Sequence, residues 1–362
     1  MTSISRSRIR PPCRSPLQCI IPPYMAEQMA RAADPRIRAQ ALVSLAHATA
    51  VRAARGVAGE VGRQAVAAPA PAGRQRLVYT ANNKDMLPGR LVRSEGEPPT
   101  ADPCVNEAYD FSGDTYDFYL ERFGRNSLDD AGMKLVSSVH VGESDGQDRY
   151  QPMNNAFWDG GQMAYGDGDG VVFQCFTRSL DVVAHELTHG VQAFASNLTY
   201  RGQSGALNEH FADVFGVLVR QWRRNESADK ASWLVGAEIL VPAKTRRAVR
   251  DMERPGTAYA DDPALGSDPQ PDHMERIYTG PADSGGVHLN SGIPNRAFVL
   301  FAQAVGGNAW EMPGTIWYDA LLQLSRTSQF ADMAKLTAQI AGDRFGAATR
   351  KAVRAAWKRV GL

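Results

Sequence analysis

Two short segments, separated by twenty residues (209 − 189 = 20), constrain this chain more than anything else in it. The first is His185-Glu186-Leu187-Thr188-His189. On a helix, positions i and i+4 lie one above the other on the same face, so both imidazoles can reach one metal ion. Glu186 is then left on a side where it can meet a metal-activated water. The chemistry this permits is zinc-assisted hydrolysis, most often of a peptide bond. Ser179 or Asp181 can open the helix, and Val182, Val183, Leu187, Val191 and Phe194 make it mostly buried. Two histidines and a glutamate in a buried helix are costly without partners, and metal ligation supplies them.

The second segment, Gly205 to Gly216, offers what the first lacks. Catalytic zinc takes three protein ligands and keeps a fourth position open. This segment reads as another helix, with Leu207, Phe211, Val214 and Phe215 apolar and with Glu209 and Asp213 four apart on one side. Glu209 is expected as the third ligand, and Asp213 as hydrogen-bond partner of a ligand histidine.

His185-Glu186-x-x-His189 followed by Glu209 resembles the thermolysin-like (M4-type) neutral metallopeptidases, and further motifs carry the resemblance. Asn154-Asn155-Ala156-Phe157-Trp158 looks like the family's substrate-binding edge strand. Tyr165 to Gly170 looks like the turn that follows it, and Gly285 to Gly292 like the second active-site motif. The matches run in order over roughly residues 80–362. The resemblance implies Glu186 as the general base and proton carrier and His288 as the group stabilising the tetrahedral intermediate. Asp283 would orient His288, and Tyr200 would act on the same oxyanion. Arg250 would bind a substrate carbonyl, although Arg246, Arg247 and Arg254 lie close enough to confuse that alignment. Asn155 and the Ala156 backbone would hold an extended substrate. The resemblance also implies one zinc ion, peptide or protein substrates, and a preference for bulky apolar residues just after the cut.

Opposite charges divide the chain. Up to Arg76 there are twelve arginines against Glu27, Asp34 and Glu60 (12 − 3 = +9). The remainder holds 28 basic and 36 acidic residues (−8), so the net +1 hides two opposite halves. A basic arm can mean nucleic-acid binding, but an arm complementary to its own acidic enzyme is the simpler expectation, with no nucleic-acid partner. Cys19-Ile20-Ile21-Pro22-Pro23-Tyr24-Met25 looks like the short propeptide motif of the protealysin-like branch. We expect Pro22, Pro23, Tyr24 and Met25 to lie in or beside the cleft and suppress activity. Ala26 to Arg55 reads as two helices separated near Asp34-Pro35. The stretch 65–73 reads as an Ala/Pro-rich linker where a maturation cut should fall.

The expected architecture is an α+β, two-lobed thermolysin-like zincin. Residues 1–75 form a basic, helical prosegment and linker, 76–196 a strand-rich lobe carrying the substrate strand and zinc helix, and 197–362 a helical lobe. Lys134 to Val141 reads as a strand; Ile293–Ala304, Gly314–Leu324 and Ala347–Val360 read as helices. The N-terminus shows no apolar signal-peptide core and no stretch is long enough to span a membrane. The expectation is therefore a monomer secreted by family resemblance, with a cytoplasmic location and non-standard export as the alternative. The four cysteines imply no disulfide framework; Cys19 reads as a small buried apolar residue, with capping of the metal as the alternative. Relatives stabilised by calcium hold a double site of acids. Here Asp181 remains, but the other matching positions are Arg220, Ser232, Leu234 and Ala237, so that double site is expected to be absent, with other calcium binding left possible. Two rivals remain: a zinc protein that no longer cleaves, against which Glu186 speaks, and a zinc hydrolase of non-peptide substrates, against which Asn155, Ala156 and His288 speak.

Overall fold

A prosegment of one short strand and two helices precedes the enzyme. The structure, a computed structural model, describes residues 18–58, 73–147 and 149–362. It opens with β1 (Gln18–Cys19), α1 (Pro23–Met29) and α2 (Pro35–Ala58). Pro22 ends the extended stretch, and Pro23 sits in the first turn of α1, where a missing N–H costs nothing. The two expected helices do part at Asp34, whose carboxylate accepts the Arg36 N–H (2.8 Å). Residues 65–72 of the linker, with the expected cut, and Cys13 lie outside the described residues.

The strand-rich lobe contains β2 (Arg76–Lys84), β3 (Arg90–Ser94), α3 (Pro103–Phe123), β4 (Leu135–Ser144), β5 (Tyr150–Pro152), β6 (Ala156–Trp158) and β7 (Met163–Gly166). The strands form one mixed sheet in the order β1-β6-β7-β4-β2-β3, with β5 added to β4. Strand β6 would be the edge of this sheet; β1 of the prosegment covers it antiparallel, Cys19 opposite Phe157. The long helix α3 was not expected in this lobe. Its Asp110, Gly113, Asp114 and Asp117 are weak helix formers. Packing overrides them: Val105, Ala108, Tyr116, Phe118 and Tyr119 are buried on one side. Asp102 caps its first turn (3.0 Å to the Cys104 N–H), and Gly124 closes it at φ 68°, a left-handed conformation that glycine adopts without strain. The cysteines need a correction. Cys104 and Cys175 are joined as a disulfide across 71 residues, a pairing made by the fold and invisible in the spacing.

The helical lobe follows α4 (Leu180–Ala193) and comprises α5 (Gly202–Arg224), β8 (Leu234–Val235), β9 (Arg250–Asp251), α6 (Ala282–Asn290), α7 (Gly292–Val305), α8 (Met312–Gln323), α9 (Phe330–Phe345) and α10 (Ala347–Lys358). The three helices expected near 293, 314 and 347 are present as α7, α8 and α10. Helix α9 was missed because its buried face relies partly on Ala338, Ala341 and Thr337 rather than on large apolar residues. A capping box between Gln329 and Asp332 starts it.

Helices α4 and α5 pack closely because Gly216 has no side chain. A Cβ there would stand 2.5 Å from the Asp181 carbonyl oxygen and 3.2 Å from the His185 nitrogen. A buried ion pair reinforces the contact: Arg220 of α5 meets Asp181 of α4, and its guanidinium also donates to the Leu234 and Ser232 carbonyls (both 2.8 Å). Ser179 and the Gly236 N–H give Asp181 further donors (2.5 and 3.3 Å). Removing one partner of such a pair strands the other charge in the interior, a loss of about 3–5 kcal/mol. We expect Arg220→Ala to lower stability by about that amount in urea titrations, and a change below about 1 kcal/mol, the range of an exposed pair, would show that the pair does not brace the helices.

Candidate metal centre and cleft

The helical i, i+4 spacing turns His185 and His189 toward the same point, and α5 brings Glu209 up to it. The two Nε2 atoms are 3.2 Å apart; Glu209 Oε2 lies 3.5 Å from His185 Nε2, and its Oε1 3.5 Å from His189 Nε2. Ligands about 2.0–2.1 Å from a tetrahedral zinc ion stand about 3.4 Å from one another. The three side chains are buried and together form a group able to hold a metal. Their outer atoms are fixed by a second layer. His185 Nδ1 lies 3.0 Å from Asp213 Oδ1, and His189 Nδ1 2.8 Å from Asn208 Oδ1. Each ring is thereby held with Nε2 facing the ion, the arrangement that makes histidine a better ligand. Burial pushes the His189 imidazole down to about 3, against the pull of Glu209, so the ring is neutral as ligation requires.

Glu186 leans on the same centre without belonging to the tripod. It is wholly buried, and neither of its carboxylate oxygens has a hydrogen bond of ordinary geometry. Burial, with the Glu209 charge beside it, raises its carboxyl well above the ordinary range; Arg250 and the Ile20 and Trp158 N–H groups pull the other way. One oxygen of Glu209 is likewise unpartnered. Buried carboxylates left this way fit a site that holds a cation, and the His, His, Glu donor set fits zinc.

The rest of the cleft is built around these atoms. In α6 the backbone takes four successive left-handed residues, Asp283 to Gly286 (φ 51°, 52°, 85° and 81°), which glycine tolerates at the last two. That turn folds Asp283 back onto His288: its Oδ1 meets Nδ1 at 2.6 Å and its Oδ2 accepts the His288 N–H at 2.8 Å. Burial pulls His288 down, but Glu209 and Asp283 outweigh it and lift the imidazole to about 9. The Tyr200 hydroxyl donates to Glu209 and lies 3.1 Å from His288 Nε2. Arg250, on β9, binds Asp213 through Nε (2.9 Å) and Nη2 (2.8 Å). The neighbouring arginines do not compete for this place: Arg247 pairs with Asp251, Arg246 with Asp262, and Arg254 is largely exposed.

The prosegment lies in this cleft. Ile20 N–H donates to the Ala156 carbonyl (3.3 Å), and Ile21 N–H to Asn155 Oδ1 (3.1 Å). His288 Nε2 donates to the Cys19 carbonyl (3.0 Å) and Arg250 Nη1 to the Ile20 carbonyl (2.9 Å). Pro22-Pro23-Tyr24-Met25 follows directly on these contacts. The polar contacts come from the three residues before it, because prolines have no N–H to give to a strand. Pro22 and Met25 are buried at the start of α1, Pro23 and Tyr24 half-buried.

Residues 72–193 match the family model of the thermolysin metallopeptidase catalytic domain, and residues 196–362 that of its alpha-helical domain. Protease PrtS of Photorhabdus sp. (strain Az29) is 50% identical over 291 residues, 79% of this chain and 76% of that protein. The chain belongs to the thermolysin metallopeptidase family. It is a zinc metalloendopeptidase. The extracellular metalloprotease of Pectobacterium carotovorum subsp. carotovorum is 48% identical over 295 residues, 81% of this chain and 82% of that protein. Among solved structures, the precursor of protealysin, a metalloproteinase from Serratia proteamaculans, matches with a TM-score of 0.84 at 42% identity, covering 95% of this chain and 99% of that one. The strand-rich and helical lobes are those of the thermolysin fold.

Three supporting residues escaped the sequence reading. Asn208 holds His189, and Asn295 donates to Asp213 Oδ2 (2.9 Å) while accepting from His210 Nδ1 (2.8 Å). Gln270 ties the His288 carbonyl to the loop before α6 (2.6 Å). Only Asn208 had a signal available: it precedes Glu209 and so lies near the metal face. Asp213 is the hub, holding His185, Arg250 and Asn295 at once. Asp213→Asn should weaken zinc binding about 10–100-fold in a competition titration with a chromophoric chelator; unchanged affinity would mean that Asp213 does not support the ligand.

Proposed function

We propose that this peptidase is made as a self-blocked precursor, and that its mature part cuts before bulky apolar residues with Glu186 moving the proton. One observation carries the reading: the Cys19 and Ile20 carbonyls sit on His288 and Arg250 while the Ile20 N–H adds to β6. A substrate strand would use the same donors and the same edge. The Cys19–Ile20 peptide bond then occupies the scissile position, and Ile20, branched, apolar and fully buried, takes the place just after the cut.

Zinc held by His185, His189 and Glu209 supplies a Lewis acid and lowers the pKa of water toward about 7. Glu186, buried beside the centre, would take the proton of the attacking water and return it to the leaving amine. His288, charged and fixed by Asp283, points a donor where the oxyanion develops, and the Tyr200 hydroxyl lies within reach of the same point. Arg250 holds the next carbonyl and Asn155 the peptide beyond it. Export is the location we infer from the extracellular relative; no helix among the described residues is long and apolar enough to cross a membrane. We read Arg220 as standing in for the cations of calcium-braced relatives.

Replacing Glu186 by Gln should reduce peptide hydrolysis by at least about 10²-fold while one zinc remains bound; unchanged hydrolysis would refute the mechanism. Calcium chelation should leave the unfolding midpoint unmoved, and a large fall on adding EGTA to zinc-loaded enzyme would overturn the role given to Arg220. Intact precursor should turn over peptide more slowly than a form beginning at Leu77, equal rates being fatal to self-blocking. Docking of the prosegment should also depend on pH. Ser44 of α2 donates to Glu143 Oε2 (2.5 Å) and Gln151 donates to the same oxygen (3.3 Å). Burial lifts the Glu143 carboxyl to about 7 despite these bonds. Since the docked carboxyl keeps its proton longer than an exposed one, docking is strongest below the ordinary pKa of 4.5 and weakens as pH rises through about 7. Hydrogen-exchange protection of α2, corrected for intrinsic rates, should fall across that window and become flat in Glu143→Gln.

A further inference from the structure

Outside the cleft, one cluster gathers more metal-ligating side chains than its packing requires. Asp102 and Cys104 stand at the N-terminus of α3, His140 in β4, Asp167 just after β7, and Cys175 just before the turn that leads into α4. Ligand atoms of Asp102, Cys104 and His140 lie within 4.8 Å of one another, as do those of Cys104, Glu107 and Cys175. His140 is held at both ends: Nε2 is 2.7 Å from Asp102 Oδ2, and Nδ1 is 2.9 Å from both oxygens of Asp167. Its backbone is left-handed (φ 52°) inside a strand, where the register of β4 against both neighbours shifts. That conformation is uncommon for a residue other than glycine, and the ring stands beside Cys104. Cys175 Sγ lies 3.1 Å from the Thr177 hydroxyl, which donates to Glu107 (2.7 Å).

We propose that this cluster is a second zinc site, closed while Cys104 and Cys175 are joined and opened when they are reduced. The ligands are the Cys104 thiolate, His140 Nε2 and an Asp102 oxygen, which already converge, and the Cys175 thiolate, which the disulfide to Cys104 holds beside them. Two sulfurs, one imidazole and one carboxylate form a four-coordinate set suited to zinc. Asp167 already holds His140 Nδ1, the carboxylate–histidine support that Asp213 gives to His185 in the catalytic site. Glu107 is engaged by Thr177 and stays outside the set. A disulfide alone has no use for a histidine clamped between two carboxylates beside it. A dithiol reductant delivers two electrons to the S–S bond, yielding two thiols and its own cyclic disulfide. Zinc then displaces the two thiol protons and the proton shared between His140 Nε2 and Asp102. The ion would tie the start of α3 to the segment entering α4.

The full chain carrying Glu186→Gln, which suppresses self-cleavage, provides the test. Oxidised protein loaded with zinc and dialysed should retain one equivalent by mass spectrometry of metals. After phosphine reduction it should retain two, and Cys175→Ser and His140→Ala should return it to one. One equivalent in the reduced protein, or two in both variants, would overturn the proposal. Cobalt gives an independent reading should the variants misfold. The reduced chain with Cys13→Ser and Cys19→Ser should show a near-ultraviolet thiolate-to-cobalt charge-transfer band that the catalytic His, His, Glu set cannot produce, and its absence would also overturn the proposal.

Discussion

The contact on which the rest of the structure depends is the close approach of α4 to α5 at Gly216. The Asp181 carbonyl and His185 nitrogen stand where a side chain at position 216 would have to be. With the helices this close, Glu209 reaches His185 and His189 at tetrahedral spacing, and Asp213, one turn on, reaches the far nitrogen of His185. A larger residue at 216 would push the helices apart and lengthen every one of these distances together. Arg220 and Asp181 fix the other end of the contact. The metal tripod is thus a property of a helix pair and not of two separate motifs.

That geometry concentrates charge where burial makes charge expensive. His185, Glu186, His189, Glu209, Asp213 and Arg250 are all fully buried. Unpaired, such groups would unfold a domain of ordinary stability. Asp213 shows how the arrangement is sustained. Burial alone would raise its carboxyl, yet Arg250 and His185 hold it well below the usual carboxylate range. The residual imbalance is on Glu186 and on Glu209, one of the three side chains able to hold a divalent cation; both keep unpartnered buried oxygens. Binding energy there is also folding energy for the cleft, since the ion neutralises what the protein cannot.

How much of this could be read in the sequence varied with the physical reach of each signal. The candidate tripod is encoded by helical spacing within two segments, and the structure brings together His185, His189, Glu209 and Asp213, the residues that spacing singles out. The two prosegment helices and their break at Pro35 were equally local. Helix α3 was not, because its acidic, glycine-containing sequence becomes helical through burial of Phe118 against Trp222 of α5 and of Tyr119 against the zinc helix, where Tyr119 meets Thr188 at 2.8 Å. The Cys104–Cys175 pairing and the support from Asn295 and Gln270 join segments 71, 82 and 18 residues apart, a relation that only the folded chain expresses. In the prosegment, the prolines are the conspicuous residues of the sequence, while the extended stretch of three residues before them carries the hydrogen bonds, because proline has no N–H to give.

Those three residues explain why a segment so short can fill a cleft. Cys19, Ile20 and Ile21 offer two backbone donors and three carbonyls to the enzyme, few contacts for a free peptide. Attached to α1 and α2, they need not be recruited from solution. Ile37 and Ala41 of α2 are buried, and Gln40 exchanges hydrogen bonds with Pro152 and Gln151 (3.1 and 3.0 Å). While the chain is continuous, the tether keeps the effective concentration of the strand in the millimolar range, by an order-of-magnitude argument about short linkers. A cut in the linker removes that advantage at once without touching a single contact in the cleft. On the reading proposed above, activation therefore requires no rearrangement of the zinc site, and the site can be built complete, beneath its cover, before it has anything to cleave.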